Sequence, residues 1–180
     1  MTSCSCDGEV SPTAPYVPDQ TRFHIVLVEP EIPPNTGTIA RLCGATNSTL
    51  HLIHPLGFST DDRYLKRAGL DYWQHVAIVH WPSLEAFIEA TPPHRFYLLT
   101  KKAIRSYTEA PFAIGDFLIF GKETAGLPED FLNSYPDRCY TVPMANSNIR
   151  SLNLAMTTGI VLYEALRQHG IPSAVGEHDE

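Results

Sequence analysis

Three stretches of this sequence combine residue types and spacings that could do chemistry, and the first spans residues 29–41, EPEIPPNTGTIAR. Three prolines stiffen the chain before Asn35 and Gly37, and Arg41 follows within two helical turns. Glycine allows a close backbone approach, and the N-terminus of a helix can hold an anion, so this stretch could bind a charged ligand. On spacing alone, a proline-stiffened turn with a helix N-cap is the favoured interpretation.

The second stretch is FGKETAGLP, in which Gly121 and Gly126 flank a single carboxylate, Glu123. A charged residue in a glycine-lined loop at the carboxyl end of a strand more often serves a ligand or a partner than the core. Gly121 would let a ligand approach the backbone, because a side chain there would block it. The alternative interpretation is that Glu123 caps the short helix that follows.

The third stretch, ANSNIRSLNLA, lies between an apolar run and a long helical pattern. We expect Ser151 to cap a helix that begins near Leu152, since serine is a preferred N-cap residue. That cap explains neither Asn153 in the first turn nor Arg150 directly before the helix. Because the helix dipole disfavours a cation at this end, Arg150 needs an anionic partner such as a phosphate group or Glu123.

The elements that must position these stretches alternate between strand and helix. We predict strands at residues 23–29, 50–55, 75–80, 95–100, 116–121 and 139–144, and helices at 36–47, 61–69, 83–90, 128–135 and 151–169. The strands are continuously apolar, which is typical of a mostly parallel sheet with helices on both faces. Ligands bind beyond the carboxyl ends of such strands, where all three stretches lie. The fingerprint G-x-G-x-x-G and the Walker A motif are absent, which argues against NAD and ATP.

The charge of the chain is unevenly distributed, and this bears on whether it binds a nucleic acid. The formal charge of the 180 residues is −7, but six acidic residues lie in 1–20 and 177–180, and without them 13 basic residues face 14 acidic ones. Basic residues also cluster, as Arg63, Lys66 and Arg67 and as Lys101, Lys102 and Arg105. A phosphate-binding face and an ordinary solvated basic face are equally compatible with this pattern.

The remaining composition indicates one domain in a reducing compartment. No run of 18 apolar residues could span a membrane, and no basic segment followed by an apolar one opens the chain as a secretory signal. Cys43 lies in a helical pattern and Cys139 opens a strand-like run, so free thiols are favoured over a disulfide. We therefore expect a cytoplasmic protein with a domain at 22–171, a disordered tail at 1–21 and an acidic tail at 172–180.

Together the three stretches resemble the motifs of the SPOUT class of S-adenosylmethionine-dependent RNA methyltransferases. They match, in order, N-x-G-x-x-x-R at 35–41, E-x-x-G-L-P at 123–128 and P-M…R-S-L-N-L at 143–154. More narrowly, EPEIPPNTG, HPLGF, RAGLDYW, FGKETAGLP and YEALRQ resemble the TrmL- or YibK-like group of tRNA (cytidine/uridine-34)-2'-O-methyltransferases. The resemblance spans residues 23–170. Ala125 is a departure, because this position is commonly basic in the group.

The resemblance implies a fold, a cofactor and a set of cofactor-binding residues. The protein would be a homodimer of α/β domains whose C-terminal part forms a trefoil knot, with S-adenosyl-L-methionine held in the knot and no metal ion. The residues that match the cofactor-binding positions are Leu99, Gly121, Val142, Met144, Ser151 and Leu152. The predicted strands and helices alone would not indicate a knot, since chains rarely thread their own loops.

The implied reaction is methyl transfer to the ribose 2'-hydroxyl at position 34 of tRNA, with leucine isoacceptors as the expected substrates. Arg41 would contact the nucleophile and the adjacent phosphate, and the residues that orient it and the substrate would be Asn35, Glu123, Arg150 and Asn153. The RNA-binding positions would be Arg63, Lys66, Arg67, Lys101 and Lys102. A 2'-O-methyltransferase for another RNA such as rRNA, and a non-catalytic knotted RNA-binding protein, are the alternatives.

Overall fold

Six parallel strands form one sheet in the part of the chain that the computed structural model describes, residues 16–59 and 76–170. The strands are β1 (His24–Val28), β2 (Thr49–Ile53), β3 (Ile78–Trp81), β4 (Phe96–Leu99), β5 (Phe117–Phe120) and β6 (Cys139–Tyr140). Their order is β3-β2-β1-β5-β4-β6, and every neighbouring pair runs parallel. The predicted mostly parallel sheet is confirmed.

Helices cover both faces of the sheet, as predicted. In the described ranges they are α1 (Pro33–Thr46), α2 (Leu84–Ala90), α3 (Glu129–Ser134) and α4 (Leu154–His169). Short 3-10 turns lie at Pro93–Arg95, Tyr107–Glu109 and Pro136–Arg138. Ile25 and Leu27 of β1 pack in one buried cluster with residues of α1 and α4, whereas Val26 and Val28 pack in another with residues of α2 and α3. Because both faces are covered, β1 is buried throughout, and its sequence does not alternate.

The starts of α1 and α2 show how the local sequence sets helix boundaries. α1 begins at Pro33 rather than at the predicted Thr36, because proline suits the first helical position, where its missing N–H has no partner to lose. Ser83 caps α2 as predicted, with its side chain accepting a hydrogen bond from the N–H of Ala86 at 3.3 Å.

The start of α4 differs from the prediction. This helix begins at Leu154, and its N-cap is Asn153. Oδ1 of Asn153 accepts hydrogen bonds from the backbone N–H of Ala155 at 2.9 Å and of Met156 at 3.2 Å. The expectation that Ser151 caps this helix is therefore wrong, because asparagine, an equally good capping residue, lies two positions further on.

The segment before β1 packs onto the sheet face that also carries α2 and α3. The ring of Tyr16 lies edge-on against Trp81, with ring centroids 5.3 Å apart. The backbone carbonyl of Asp19 accepts a hydrogen bond from Nε2–H of His24 at 2.9 Å. Residues 16–21, the last six of the tail predicted at 1–21, thus include groups that contact the sheet, while the disorder of the tail stays a prediction.

Some expectations fall outside the described residues: the remainder of the N-terminal tail at 1–15, the helix at 61–69 and the acidic tail at 172–180. Cys43 and Cys139 are free thiols, as predicted. No helix within residues 16–59 and 76–170 is long and apolar enough to cross a membrane.

The strand order brings the loops after β1 and β5 together. The chain runs outward from β1 through β2 to β3 on one side, and β5, β4 and β6 lie on the other. The crevice between two adjacent strands whose connections leave in opposite directions is where open α/β sheets bind ligands. β1 and β5 are such a pair. The trefoil knot implied by the resemblance stays a prediction.

Candidate active site

A cavity of about 660 Å³ opens at the carboxyl ends of β4, β5 and β6. It is lined by all six residues that match cofactor-binding positions, namely Leu99, Gly121, Val142, Met144, Ser151 and Leu152. It is also lined by Asn35, Glu123, Arg150, Asn153, Lys101 and Lys102. The three chemistry-bearing stretches of the sequence thus meet around one cavity. Arg63, Lys66 and Arg67 lie outside the described residues.

Glu123 joins the loop after β5 to the start of α1. Its Oε2 accepts a hydrogen bond from the N–H of Glu31 at 2.9 Å, and its Oε1 accepts from the N–H of Ile32 at 3.3 Å and from Nδ2–H of Asn35 at 2.9 Å. A carboxylate here satisfies N–H groups that the start of a helix leaves unpaired, and it complements the helix dipole. The alternative that Glu123 caps α3 is wrong, because the N-cap of α3 is Pro128, without a side-chain hydrogen bond.

Asn35 and Asn153 extend this contact to α4. Oδ1 of Asn153 already accepts two backbone N–H bonds at the start of α4, so its Nδ2 must be the donor to Oδ1 of Asn35, at 2.9 Å. That bond leaves Nδ2 of Asn35 to donate to Glu123. Backbone N–H groups can only donate, so their bonds determine which atoms of Asn153, Asn35 and Glu123 donate and which accept. Asn35 is 7% exposed, which shields the centre of this network from water.

Gly121 is required by the chain itself. A Cβ at this position would lie 2.1 Å from the carbonyl carbon of Gly126 and 2.2 Å from the nitrogen of Leu127. The close approach follows from a tight reversal, in which the N–H of Gly126 donates to the carbonyl of Lys122 at 2.9 Å. We expected Gly121 to make room for a ligand; the structure shows that it makes room for the backbone of its own loop.

Arg150 lies exposed on the rim of the cavity. Glu123, which we considered as its partner, forms its hydrogen bonds with the start of α1 and none with Arg150. Within residues 16–59 and 76–170 no hydrogen-bond or ion-pair partner of Arg150 exists. Its guanidinium therefore remains available to an anion that enters the cavity.

Lysines add to the positive rim. Lys101 is exposed, and Lys102 forms an ion pair with Glu129 on α3. Nζ of Lys122 lies 2.6 Å from the carboxylate of Glu29, and this hydrogen-bonded ion pair raises the pKa of Lys122. The three lysines line the same cavity as Arg150, so its mouth is predominantly basic.

Arg41 does not line this cavity, although it completes the first motif. It lies exposed on α1, six positions after Asn35. At 3.6 residues per turn, two residues with this spacing point about 120° apart around the helix axis. Asn35 faces the cavity, so Arg41 on the same helix faces elsewhere.

Two residues that belong to the site, Glu31 and Thr124, were not singled out from the sequence. The Oε2 atom of Glu31 accepts hydrogen bonds from the backbone N–H of Thr124 at 3.2 Å and from its Oγ1–H at 2.7 Å. They lie 93 positions apart, so no local spacing could pair them. The part of the chain that the structure describes holds no group of three or more His, Cys, Asp or Glu side chains suited to a metal ion.

Sequence comparison identifies the family. The profile described as the SpoU rRNA Methylase family matches residues 22–163. The chain belongs to this family. The resemblance drawn from the three motifs is thereby confirmed, and the protein is a methyltransferase.

Individual relatives of the family match the chain over most of its length. A Bacillus subtilis (strain 168) relative is 53% identical over 149 residues, which cover 81% of this chain and 92% of that protein. The Escherichia coli (strain K12) relative, named tRNA (cytidine(34)-2'-O)-methyltransferase, is 46% identical over 154 residues, which cover 85% of this chain and 98% of that protein.

Solved structures share the fold. One, described as "Structural insights into the 2-OH methylation of C/U34 on tRNA", matches with a TM-score of 0.79 and 44% identity, covering 84% of this chain and 98% of its own. An AdoMet-bound rRNA methyltransferase from Sinorhizobium meliloti matches with a TM-score of 0.72 and 25% identity, covering 83% of this chain and 57% of its own.

Proposed function

We propose that this protein transfers the methyl group of S-adenosyl-L-methionine to the ribose 2'-hydroxyl of the nucleotide at position 34 of tRNA, with leucine isoacceptors as its substrates. The observation that carries the proposal is the cavity itself, since it is lined by every residue that matches a cofactor-binding position of the SPOUT class. The choice of RNA is supported by a relative, 46% identical, that is named for methylation of cytidine 34.

The cavity suits a cofactor of this kind in size and lining. Its volume of about 660 Å³ lies within the range of about 300–1,000 Å³ that is usual for small-molecule sites. Leu99, Val142 and Leu152 supply apolar surface for an adenine ring, while the backbone between Gly121 and Leu127 supplies polar groups. When bound, the cofactor supplies an electrophilic methyl group on a sulfonium centre and leaves as S-adenosyl-L-homocysteine.

The basic rim is the proposed contact with RNA. Arg150 and Lys101 are exposed there, and contacts of arginine and lysine with phosphate groups dominate the affinity of most nucleic-acid complexes. Arg41 is the proposed group at the 2'-hydroxyl. A guanidinium is a hydrogen-bond donor without an acceptor, so its role is to stabilise the negative charge that develops on the oxygen, while the hydroxyl proton passes to solvent water.

In a homodimer, Arg41 of one chain would lie beside the cavity of the other chain. Arg41 does not line the cavity of its own chain, and it projects from α1, which packs against α4. On α4, Met156 is 60% and Tyr163 47% exposed. The two lie seven positions apart, hence on one face of the helix. A second copy of the chain that covers this face would place its own α1 beside the cavity of the first.

Titration calorimetry with S-adenosyl-L-homocysteine tests the cofactor proposal. Saturable binding is the expected result, and the absence of binding at high micromolar ligand would sink it. The Arg41→Ala variant should bind the ligand within a few fold of the wild type, because Arg41 does not line the cavity of its own chain, yet it should lose methyl transfer. Retained turnover would remove Arg41 from its role.

Nucleoside mass spectrometry of leucine tRNAs, after incubation with the protein and S-adenosyl-L-methionine, tests the RNA substrate. The expected product is a 2'-O-methylated nucleotide at position 34. Methylation of another RNA and not of position 34 would keep the reaction and overturn the substrate. If the protein binds these tRNAs but methylates no RNA, the non-catalytic alternative holds.

A further inference from the structure

Glu31 joins the loop after β1 to the loop after β5 by bonds that run in both directions. Its backbone N–H donates to Oε2 of Glu123 at 2.9 Å. In return its own Oε2 accepts from the backbone N–H and the hydroxyl of Thr124, at 3.2 and 2.7 Å. The two adjacent residues of one loop are thus each tied to the same residue of the other, which restrains both the position and the rotation of that loop.

A third loop holds the backbone of Glu31 in place. The N–H of Gly57 donates to the carbonyl of Pro30 at 2.9 Å. A Cβ at Gly57 would lie 2.8 Å from Cα of Glu31, so this loop sits directly on the Glu31 backbone. Because this loop restrains the backbone of Glu31, the Glu31 carboxylate stays in position to accept the hydrogen bonds from Thr124.

The restrained loop is a wall of the cavity, whereas Glu31 is not. Thr124 and its neighbours from Phe120 to Leu127 line the cavity, and Glu31 does not. Glu31 can therefore influence a bound ligand only through the loop that it holds.

We propose that Glu31 is a positioning residue: through its hydrogen bonds to Thr124 it fixes the loop at 121–127 and so sets the affinity of the cavity for the methyl donor. The second half of this statement rests on the proposed function, and the first half does not.

The geometry makes a conservative variant a sharp test. A single oxygen of Glu31 accepts both bonds from Thr124, and glutamine keeps one such oxygen. Glu31→Gln should therefore bind S-adenosyl-L-homocysteine within about two-fold of the wild type, while Glu31→Ala should bind it about five-fold more weakly, the effect of one or two lost hydrogen bonds. Thr124→Ser should likewise be close to wild type and Thr124→Val weaker. Glu89→Ala, which removes an exposed glutamate on α2, is the matched control and should change nothing.

Hydrogen–deuterium exchange on the ligand-free protein tests the positioning itself. Exchange at the amides of residues 124–126 should rise in Glu31→Ala and stay at the wild-type rate in Glu31→Gln and Glu89→Ala, with an unchanged melting temperature in all three. Wild-type exchange in Glu31→Ala, or equal losses in Glu31→Ala and Glu31→Gln, would overturn the proposal. If the wild type binds no S-adenosyl-L-homocysteine, the proposed function fails, while the exchange measurement still decides whether Glu31 positions the loop.

Discussion

Gly121 and Gly126 lie in the same loop but are glycines for different physical reasons. A Cβ at Gly121 would lie within 2.4 Å of three backbone atoms of residues 126 and 127. A Cβ at Gly126 would meet no atom within 4 Å, but Gly126 has φ of +76°. The first position excludes any side chain by contact, whereas the second only disfavours one by backbone conformation.

Alanine at these two positions should accordingly have unequal effects. Gly121→Ala has to push the reversed loop apart, so it should lose binding of S-adenosyl-L-homocysteine and lower the melting temperature. Gly126→Ala carries only the cost of a left-handed conformation, about 1–2 kcal/mol, and should still bind the ligand. Calorimetric titration and thermal unfolding of both variants measure the difference. Binding that survives in Gly121→Ala would contradict the contact argument.

Single residues of the site could be predicted by type but not by partner. The motifs pointed to Asn35, Glu123 and Asn153, and the structure gathers all three at one cavity. Their bonds join residues 88 and 118 positions apart, which no local spacing encodes. The motif likewise identified Arg41 as a candidate, but it did not reveal that Arg41 does not line the cavity of its own chain.

Among the elements, β1 and β2 carry a hydrogen-bonded chain of buried histidines. The indole N–H of Trp81, which can only donate, bonds Nδ1 of His51 at 3.0 Å. His51 must then carry its proton on Nε2 and donate it to Nδ1 of His24, at 2.9 Å. His24 in turn donates from Nε2 to the carbonyl of Asp19 at 2.9 Å. Between a fixed donor and a fixed acceptor, both imidazoles are neutral.

This chain should make stability depend on pH. Burial lowers the pKa of His24, and burial together with the neighbouring His24 lowers the pKa of His51 well below its ordinary value. In the unfolded chain both titrate near pH 6.5, so below that pH the unfolded state binds more protons. The contribution of these two histidines to the free energy of unfolding should be constant above about pH 7.5 and should fall below pH 6.5, at most by about 1.4 kcal/mol per pH unit for each histidine.

Denaturant unfolding at pH 7.5 and 5.5 measures this loss. A double variant, His24→Gln with His51→Gln, keeps side-chain amides that can hydrogen-bond but removes the titration, so the difference between the two pH values should shrink. His94→Gln, which changes an exposed histidine, is the control and should keep the wild-type difference. An undiminished difference in the double variant would show that other groups cause the pH dependence.

Most elements could be predicted, and their arrangement could not. Continuously apolar runs indicated each strand to within a few residues, because a strand covered on both faces needs apolar residues throughout. The order of the strands depends on long-range pairing, such as that of β1 with β5, for which the sequence holds no local signal. The cap of α4 was misassigned because serine and asparagine lie two positions apart and cap equally well.

At the scale of the whole molecule, the position of Arg41 and the exposed face of α4 both support a dimer. A large apolar surface left open on a monomer usually marks an interaction site. Met156 and Tyr163 are large apolar side chains left exposed on one face of α4, beside the helix that carries Arg41. If a second copy covers this face, the interface and the catalytic site are coupled, and a change that separates the two chains should also stop the reaction.

The double variant Met156→Glu with Tyr163→Glu should therefore separate the proposed dimer. Charged side chains in the interface would have to leave water without a partner, whereas in a monomer they stay exposed, as Met156 and Tyr163 are now. Light scattering after size-exclusion chromatography should give twice the 20.0 kDa chain mass for the wild type and the single-chain mass for the variant. Ile104→Glu is the matched control, because Ile104 is an apolar side chain that is 99% exposed after β4, near Leu132 and Asn133 of α3. The separated chain should keep its affinity for S-adenosyl-L-homocysteine, whose cavity lies within one chain, and lose methyl transfer, for which Arg41 is needed from the other copy. A wild-type chain that is monomeric, or a monomeric variant with full turnover, would refute the coupling of interface and site.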